Sequence, residues 1–98
     1  MLKYDDGKDM FHLIPLEPFE ALAKVFTFGY NKYANGNSES GWKDVPNGWS
    51  RYESAMWRHW VAHKKGETID KESGYPHLYH FLWNAYVLTW FFIKGKGE

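Results

Sequence analysis

The chain has 98 residues, enough for one domain and too few for two independent cores. Twelve Lys and Arg balance twelve Asp and Glu, which argues against a binder of nucleic-acid polymers, since such proteins carry net positive charge on one face. There is no cysteine, so disulfides, thiol nucleophiles and thiolate metal sites are excluded.

Residues 1–14 are polar and turn-rich and read as an extended or loop-like segment without the apolar run of a signal peptide. A first helix is predicted from about Glu17 to Tyr33, with Pro18 at its start, where a missing N–H costs nothing. Phe19, Leu22, Ala23, Phe26, Tyr30 and Tyr33 fall on one face at helical spacing, opposite Glu17, Glu20, Lys24, Thr27 and Asn31. Residues 34–49 are rich in Asn, Gly and Ser and form a loop. That loop is long for a compact domain, as functional loops often are. Ser50 and Glu53 have capping-box spacing, so the second helix is predicted to begin at Ser50 and to run to about Lys65 before Gly66. A further loop, 66–75, leads to Pro76 and a third helix that ends near Gly95.

This third helix, HLYHFLWNAYVLTWFFI, is apolar all round and is expected to be buried on all sides. Its apolar stretch, Leu78 to Ile93, contains His80 and Asn84 and is short for a bilayer span, so a soluble cytoplasmic protein without a membrane partner is expected. Six Trp, seven Tyr and seven Phe are more apolar bulk than so small a domain hides. A homo-oligomer, dimer or tetramer, is therefore expected. The fold class is an all-α bundle of three main helices, in one domain over 1–98.

The polar exceptions are the candidates for chemistry. His77, His80 and Asn84 lie at i, i+3 and i+7, one stripe in an apolar helix, and unpartnered polar groups there are destabilising. They are either satisfied within the core or form the wall of a site. Glu17 and Glu20, three apart, can share a divalent cation, although the helix dipole alone also favours acids at an N-terminus. His59 and His63 are four apart on the second helix. His63 reads as a surface cation near the helix end, and His59, beside Arg58, as the better site residue. Lys8, Lys24, Lys32 and Arg58 are candidates to hold phosphates, and Tyr30, Tyr33 and Trp42 to stack on a base. Phosphate loops of the Walker type and the nucleophile elbow are absent from the sequence.

Taken in order, KYDDGK, IPLEPFEALAKVFTFGYNKY, RHW and ID-ESG-PHLYHFLWN resemble the dATP/dGTP diphosphohydrolase N-terminal family, common in bacteriophages and similar to the MazG-like all-α pyrophosphohydrolases. The likeness runs from Lys3 to Leu88. It implies a MazG-like bundle completed by a second subunit, in the host cytoplasm if phage-encoded. It also implies hydrolysis of a nucleotide substrate, a purine deoxynucleoside triphosphate, to monophosphate and pyrophosphate. MazG-like enzymes offer ExxE or ExxD motifs on two helices to Mg²⁺ or Mn²⁺. Glu17 and Glu20 match the first motif, and His77 and His80 stand where the second has Glu and Asp.

As ligands these imidazoles would favour Mn²⁺, Co²⁺ or Zn²⁺ over Mg²⁺. Alternatively they touch phosphate or water, and Asp70 completes the metal shell. The implied site has Glu20 and His59 in catalysis and Glu17, Glu20, His77 and His80 on the metal. Lys8, Lys24, Lys32, Arg58, Asp70 and Asn84 are on the substrate, and the loop from Asn35 to Trp42 lies over the base. Two other readings compete: a catalytically idle nucleotide-binding module, and a small phage protein that docks on a host enzyme.

Overall fold

The structure, a computed structural model, describes residues 7–34 and 41–97. Among them are three α-helices: α1 (Leu16–Gly29), α2 (Gly48–Lys64) and α3 (His77–Ile93). Short 3₁₀ turns cover Phe11–Leu13 and Gly41–Asp44, and α1 continues into a π-turn, Tyr30–Ala34. The all-α bundle expected from periodicity is present. The packing is uneven, however: α3 lies mainly against α2 and also contacts α1, and α1 and α2 do not pack on each other.

Local chemistry sets the helix ends. Pro76 has φ −56° and ψ 142°, so the chain enters α3 from an extended residue. At the other ends, Gly66 and Gly95 take φ +92° and +69° and donate to the carbonyls of His63 and Phe92. Only glycine adopts that conformation without strain, and this stops α2 and α3. The capping box predicted at Ser50 is not used. α2 begins two residues earlier, at Gly48, because Asn47 turns left-handed (φ 56°) and its carbonyl already accepts from Arg51. Asparagine tolerates that region, and Ser50 then falls inside the first turn.

The buried face of α1 is Ala21, Leu22 and Val25, which overlaps the predicted face only in part: Leu22 is buried and Phe26 half-buried, but Phe19 is 63% exposed. The reason is that α1 rests on α3 alone, so only the side chains turned towards α3 are covered. Helix α3 is likewise buried on one stripe rather than all round. His77, His80, Asn84, Val87, Leu88 and Phe91 are buried, and Tyr86, Phe92 and Ile93 are exposed. That stripe is polar for its first two turns and apolar for its last two, which puts the site at one end of the core. No helix of the described residues is long and apolar enough to cross a membrane.

An aromatic cluster ties the three helices together. Trp83 of α3 meets Phe26 of α1 at 5.6 Å and Tyr52 of α2 at 5.4 Å, both edge to face. Trp42 joins Trp83 at 6.3 Å and Trp90 at 5.1 Å. The Tyr52 hydroxyl donates to the Trp42 carbonyl at 2.9 Å, pinning the 41–44 turn to α2. Each such ring pair contributes about 0.5–1.5 kcal/mol beyond its buried area.

Candidate metal centre and cleft

Residues 66–75, expected as a plain loop, form a tight hairpin against the start of α3. The Asp70 N–H donates to Tyr75 and the His77 N–H to Thr68, both at 2.8 Å, with a bridge between Ile69 and Pro76. Within it the Ser73 N–H donates to Asp70 Oδ2 at 3.0 Å. This is the local side-chain turn that aspartate favours. It fixes the carboxylate beside α3 instead of leaving it in solvent.

Three histidines meet that carboxylate. His59 of α2 lies with Nδ1 2.8 Å from Nδ1 of His77, and its ring stacks on His80 at 4.6 Å. His80 Nε2 is 2.6 Å from Ser73 Oγ and 3.6 Å from Asp70 Oδ2. One ligand atom each from His59, Asp70 and His77 lies within 4.8 Å of the other two. Asn84 donates from Nδ2 to the His80 carbonyl at 2.7 Å, leaving its buried Oδ1 with no hydrogen-bond partner, and His77 Nε2 is also buried without one.

The electrostatics keep the donors ready to bind a cation. Burial, then the neighbouring His80 and His77, lowers the His59 pKa from 6.5 to about 4. Burial lowers that of His80 too, with Asp70 opposing. Burial works against the Asp70 carboxylate, but Ser73, through hydroxyl and N–H, together with His80 and His59, outweighs it, and the pKa falls below the usual value. At neutral pH His59 and His80 are therefore neutral imidazoles and Asp70 is an ionised carboxylate.

Because the folded state holds His59 and His80 below their unfolded pKa, their stabilisation is complete above pH 6.5 and is lost as pH falls below it, for His59 through about 4. The metal-free chain should melt at a higher temperature at pH 7.5 than at pH 5. His59→Gln should flatten that difference, and a melting temperature that is level or rises on acidification would refute this.

His59, Asp70, His80 and Asn84 line a cleft of about 820 Å³. Phe26, Trp42, Tyr52 and Trp83 form an aromatic wall, and Arg51, Arg58 and Glu72 are also at its surface. Arg58 lines the cleft and donates to Ser54 at 2.9 Å. Lys32 is paired with Glu72 at 2.6 Å. Lys8, Lys24, Glu17 and Glu20 are exposed, and none of them lines the cleft.

The chain thus brings His59, Asp70, His77, His80, Asn84 and Arg58 together and leaves the Glu17/Glu20 pair on the solvent side of α1. The geometric cause is the one that exposes Phe19: α1 turns its Ala21–Val25 face, not its acidic face, towards α3. Of the loop expected over the base, Trp42 lies on the cleft wall, while 35–40 and the side chain of Tyr33 are outside the described residues. His63, read as a surface residue, is half-buried against Trp60 at 5.6 Å.

The sequence did not single out Ser73, Arg51 or Glu67, whose Oε2 lies 3.5 Å from His77 Nε2. Ser73 had a signal, since Asp70 and Ser73 followed by Gly74 is a turn pattern. Glu67 and Arg51 had none.

The profile of the dATP/dGTP diphosphohydrolase N-terminal family matches residues 1–98, the whole chain. The chain belongs to that family. Its description is of the N-terminal part of a hydrolase of purine deoxynucleoside triphosphates. No curated protein and no solved structure matches the chain. The family's name points to a diphosphohydrolase of dATP and dGTP, and the cluster beside the cleft is where the described residues bring His59, His77, His80 and Asp70 together.

Proposed function

We propose that the chain hydrolyses a deoxynucleoside triphosphate, a purine one in keeping with the family description, to the monophosphate and pyrophosphate. Water adds at the α-phosphorus and the bond to the β-phosphate oxygen breaks. The observation that carries this reading is the His59, Asp70 and His77 group beside an aromatic-walled cleft that also presents two arginines.

The donor set fits a divalent ion: two imidazoles, at least one of them held neutral, and an ionised carboxylate. Imidazole suits Mn²⁺, Co²⁺ or Zn²⁺ better than Mg²⁺. Within one chain the metal role thereby passes from Glu17, Glu20 and His80 to His59, Asp70 and His77. Such an ion, when bound, supplies Lewis-acid polarisation of the phosphate oxygens.

The chain's own groups do the rest. Arg51 and Arg58 neutralise charge on the phosphates, as guanidinium does well. The faces of the aromatic wall stack on the base and keep water from it. His80, neutral at pH 7 and on the cleft wall, accepts the proton from the attacking water. Arg51→Ala and Arg58→Ala should each lower kcat/KM by about tenfold, the effect of one charged hydrogen bond.

The test is a panel of deoxy- and ribonucleoside triphosphates with Mn²⁺, Zn²⁺ or Mg²⁺ and product identification by mass spectrometry. Monophosphate with pyrophosphate supports the proposal. Tight binding with no turnover of any nucleotide selects the idle binding module instead.

A second copy is proposed to cover Leu16, Phe19, Tyr86 and Ile93, exposed apolar side chains of α1 and α3. Sedimentation at the mass of a single chain would overturn that assignment.

A further inference from the structure

His77 is the one histidine of the cluster that does not line the cleft. It is 7% exposed, its Nδ1 faces His59, and its Nε2 is buried with no hydrogen bond. A buried imidazole nitrogen without a partner is costly. The carboxylate oxygen Oε2 of Glu67 lies 3.5 Å from that Nε2, just beyond hydrogen-bond length.

The backbone holds the two groups in place. The Glu67 N–H donates to Ala62 at the end of α2, and the next residue, Thr68, accepts from the His77 N–H. A carboxylate behind an imidazole fixes which nitrogen keeps the hydrogen, and therefore which one offers a lone pair to the front.

We propose that Glu67 is the positioning residue of this site. It holds the hydrogen of His77 on Nε2, so that Nδ1 is presented unprotonated towards His59 and Asp70. The 2.8 Å approach of the two Nδ1 atoms supports this. Two lone pairs cannot face each other so closely, so one nitrogen must carry a hydrogen when no ion is bound. With His77 fixed as the Nε2–H form, that hydrogen belongs to Nδ1 of His59, and for a cation to be held there it would move to Nε2 of His59. Glu67 is half-exposed and touches no substrate group in this arrangement. Its effect passes through His77. The inference rests on the assignment of His77 to the metal site.

Two measurements on the full chain test it. The first is the tautomer of His77, from ¹⁵N ring shifts of the metal-free protein at pH 7.5. The wild type should show the Nε2–H form, and Glu67→Ala should show a mixture. Finding Nδ1–H at His77 in the wild type would overturn the proposal.

The second is calorimetric titration with Zn²⁺ and with Mn²⁺ alone. Glu67→Ala should bind about ten- to a hundredfold more weakly, the usual cost of losing such a partner. Glu67→Gln, whose amide oxygen still accepts a hydrogen bond, should recover part of the loss. Unchanged affinity in Glu67→Ala, with His77→Ala impaired, refutes the role of Glu67 and leaves the metal site standing. Unchanged affinity in both variants refutes the metal site as well.

Discussion

Asp70→Asn is expected to weaken divalent-ion binding and to reduce hydrolysis by at least about a hundredfold while leaving the fold intact. The two effects separate because the carboxylate has two jobs. Its Oδ2 accepts the Ser73 N–H that shapes the 66–75 hairpin, and an asparagine carbonyl can accept the same bond. Its charge faces His80 and His59 and supplies the anionic donor of the metal-capable group. Asparagine cannot replace that. Loss of a supporting residue behind a ligand typically costs ten- to a hundredfold in affinity or activity, so loss of a charged ligand itself should reach at least the upper figure. Circular dichroism and thermal melting would establish that the variant folds, and calorimetry and product assay would read the rest. Near-normal ion affinity and turnover in Asp70→Asn would remove Asp70 from the site.

Phe91→Ala should be the most destabilising single truncation. Phe91 is 5% exposed and stacks on Tyr52 at 6.0 Å, with Trp42 and Trp90 edge-on at 6.1 and 5.3 Å. A Cβ on Gly48 would come within 3.1 Å of the ring, so the first turn of α2 is seated directly on it. Removing a buried phenyl group costs about 3–5 kcal/mol, a large part of the roughly 5–15 kcal/mol that holds a small domain together. At about 4 °C or more per kcal/mol for a chain of this size, the melting temperature should fall by at least about 12 °C. Phe92→Ala, at a neighbouring position that is 61% exposed, is the control and should change stability by no more than about 0.5 kcal/mol. Similar melting temperatures for the two variants would mean that the apolar end of the α3 stripe is not the core.

These expectations show which levels of organisation local sequence encodes. The helices were legible because 3.6-residue periodicity and the stops at Gly66 and Gly95 are local properties. The stripe of His77, His80 and Asn84 was legible because polar groups at that spacing are expensive in an apolar helix, and it now borders the cleft and the cluster. His59 was legible on a different ground, as a histidine one turn further into its helix than His63 and beside Arg58. The partnership of His59 with Asp70 and Ser73 was not. It depends on how a hairpin folds back over two helices, and no sequence spacing records that.

The acidic pair illustrates the converse. Glu17 and Glu20 do share a face of α1, as their spacing requires, but spacing cannot say which way the helix turns. That was decided by the fit of Ala21, Leu22 and Val25 against α3. The capping box shows the same limit of spacing: Ser50 and Glu53 have the right separation, but Asn47 starts the helix first by turning left-handed.

His59, Asp70 and His77, rather than the Glu17/Glu20 pair, are proposed to serve hydrolysis. That assignment is tested most directly by ³¹P NMR of dATP and dGTP incubated with Mn²⁺ or Zn²⁺ and each of three proteins: the wild type, Glu17→Gln/Glu20→Gln and His59→Ala/His77→Ala. Ion-dependent monophosphate and pyrophosphate are expected from the wild type and from the double-glutamine variant, and none from the double-alanine one. Loss of activity in the glutamine variant with retention in the histidine variant, or no turnover by the wild type, would contradict it.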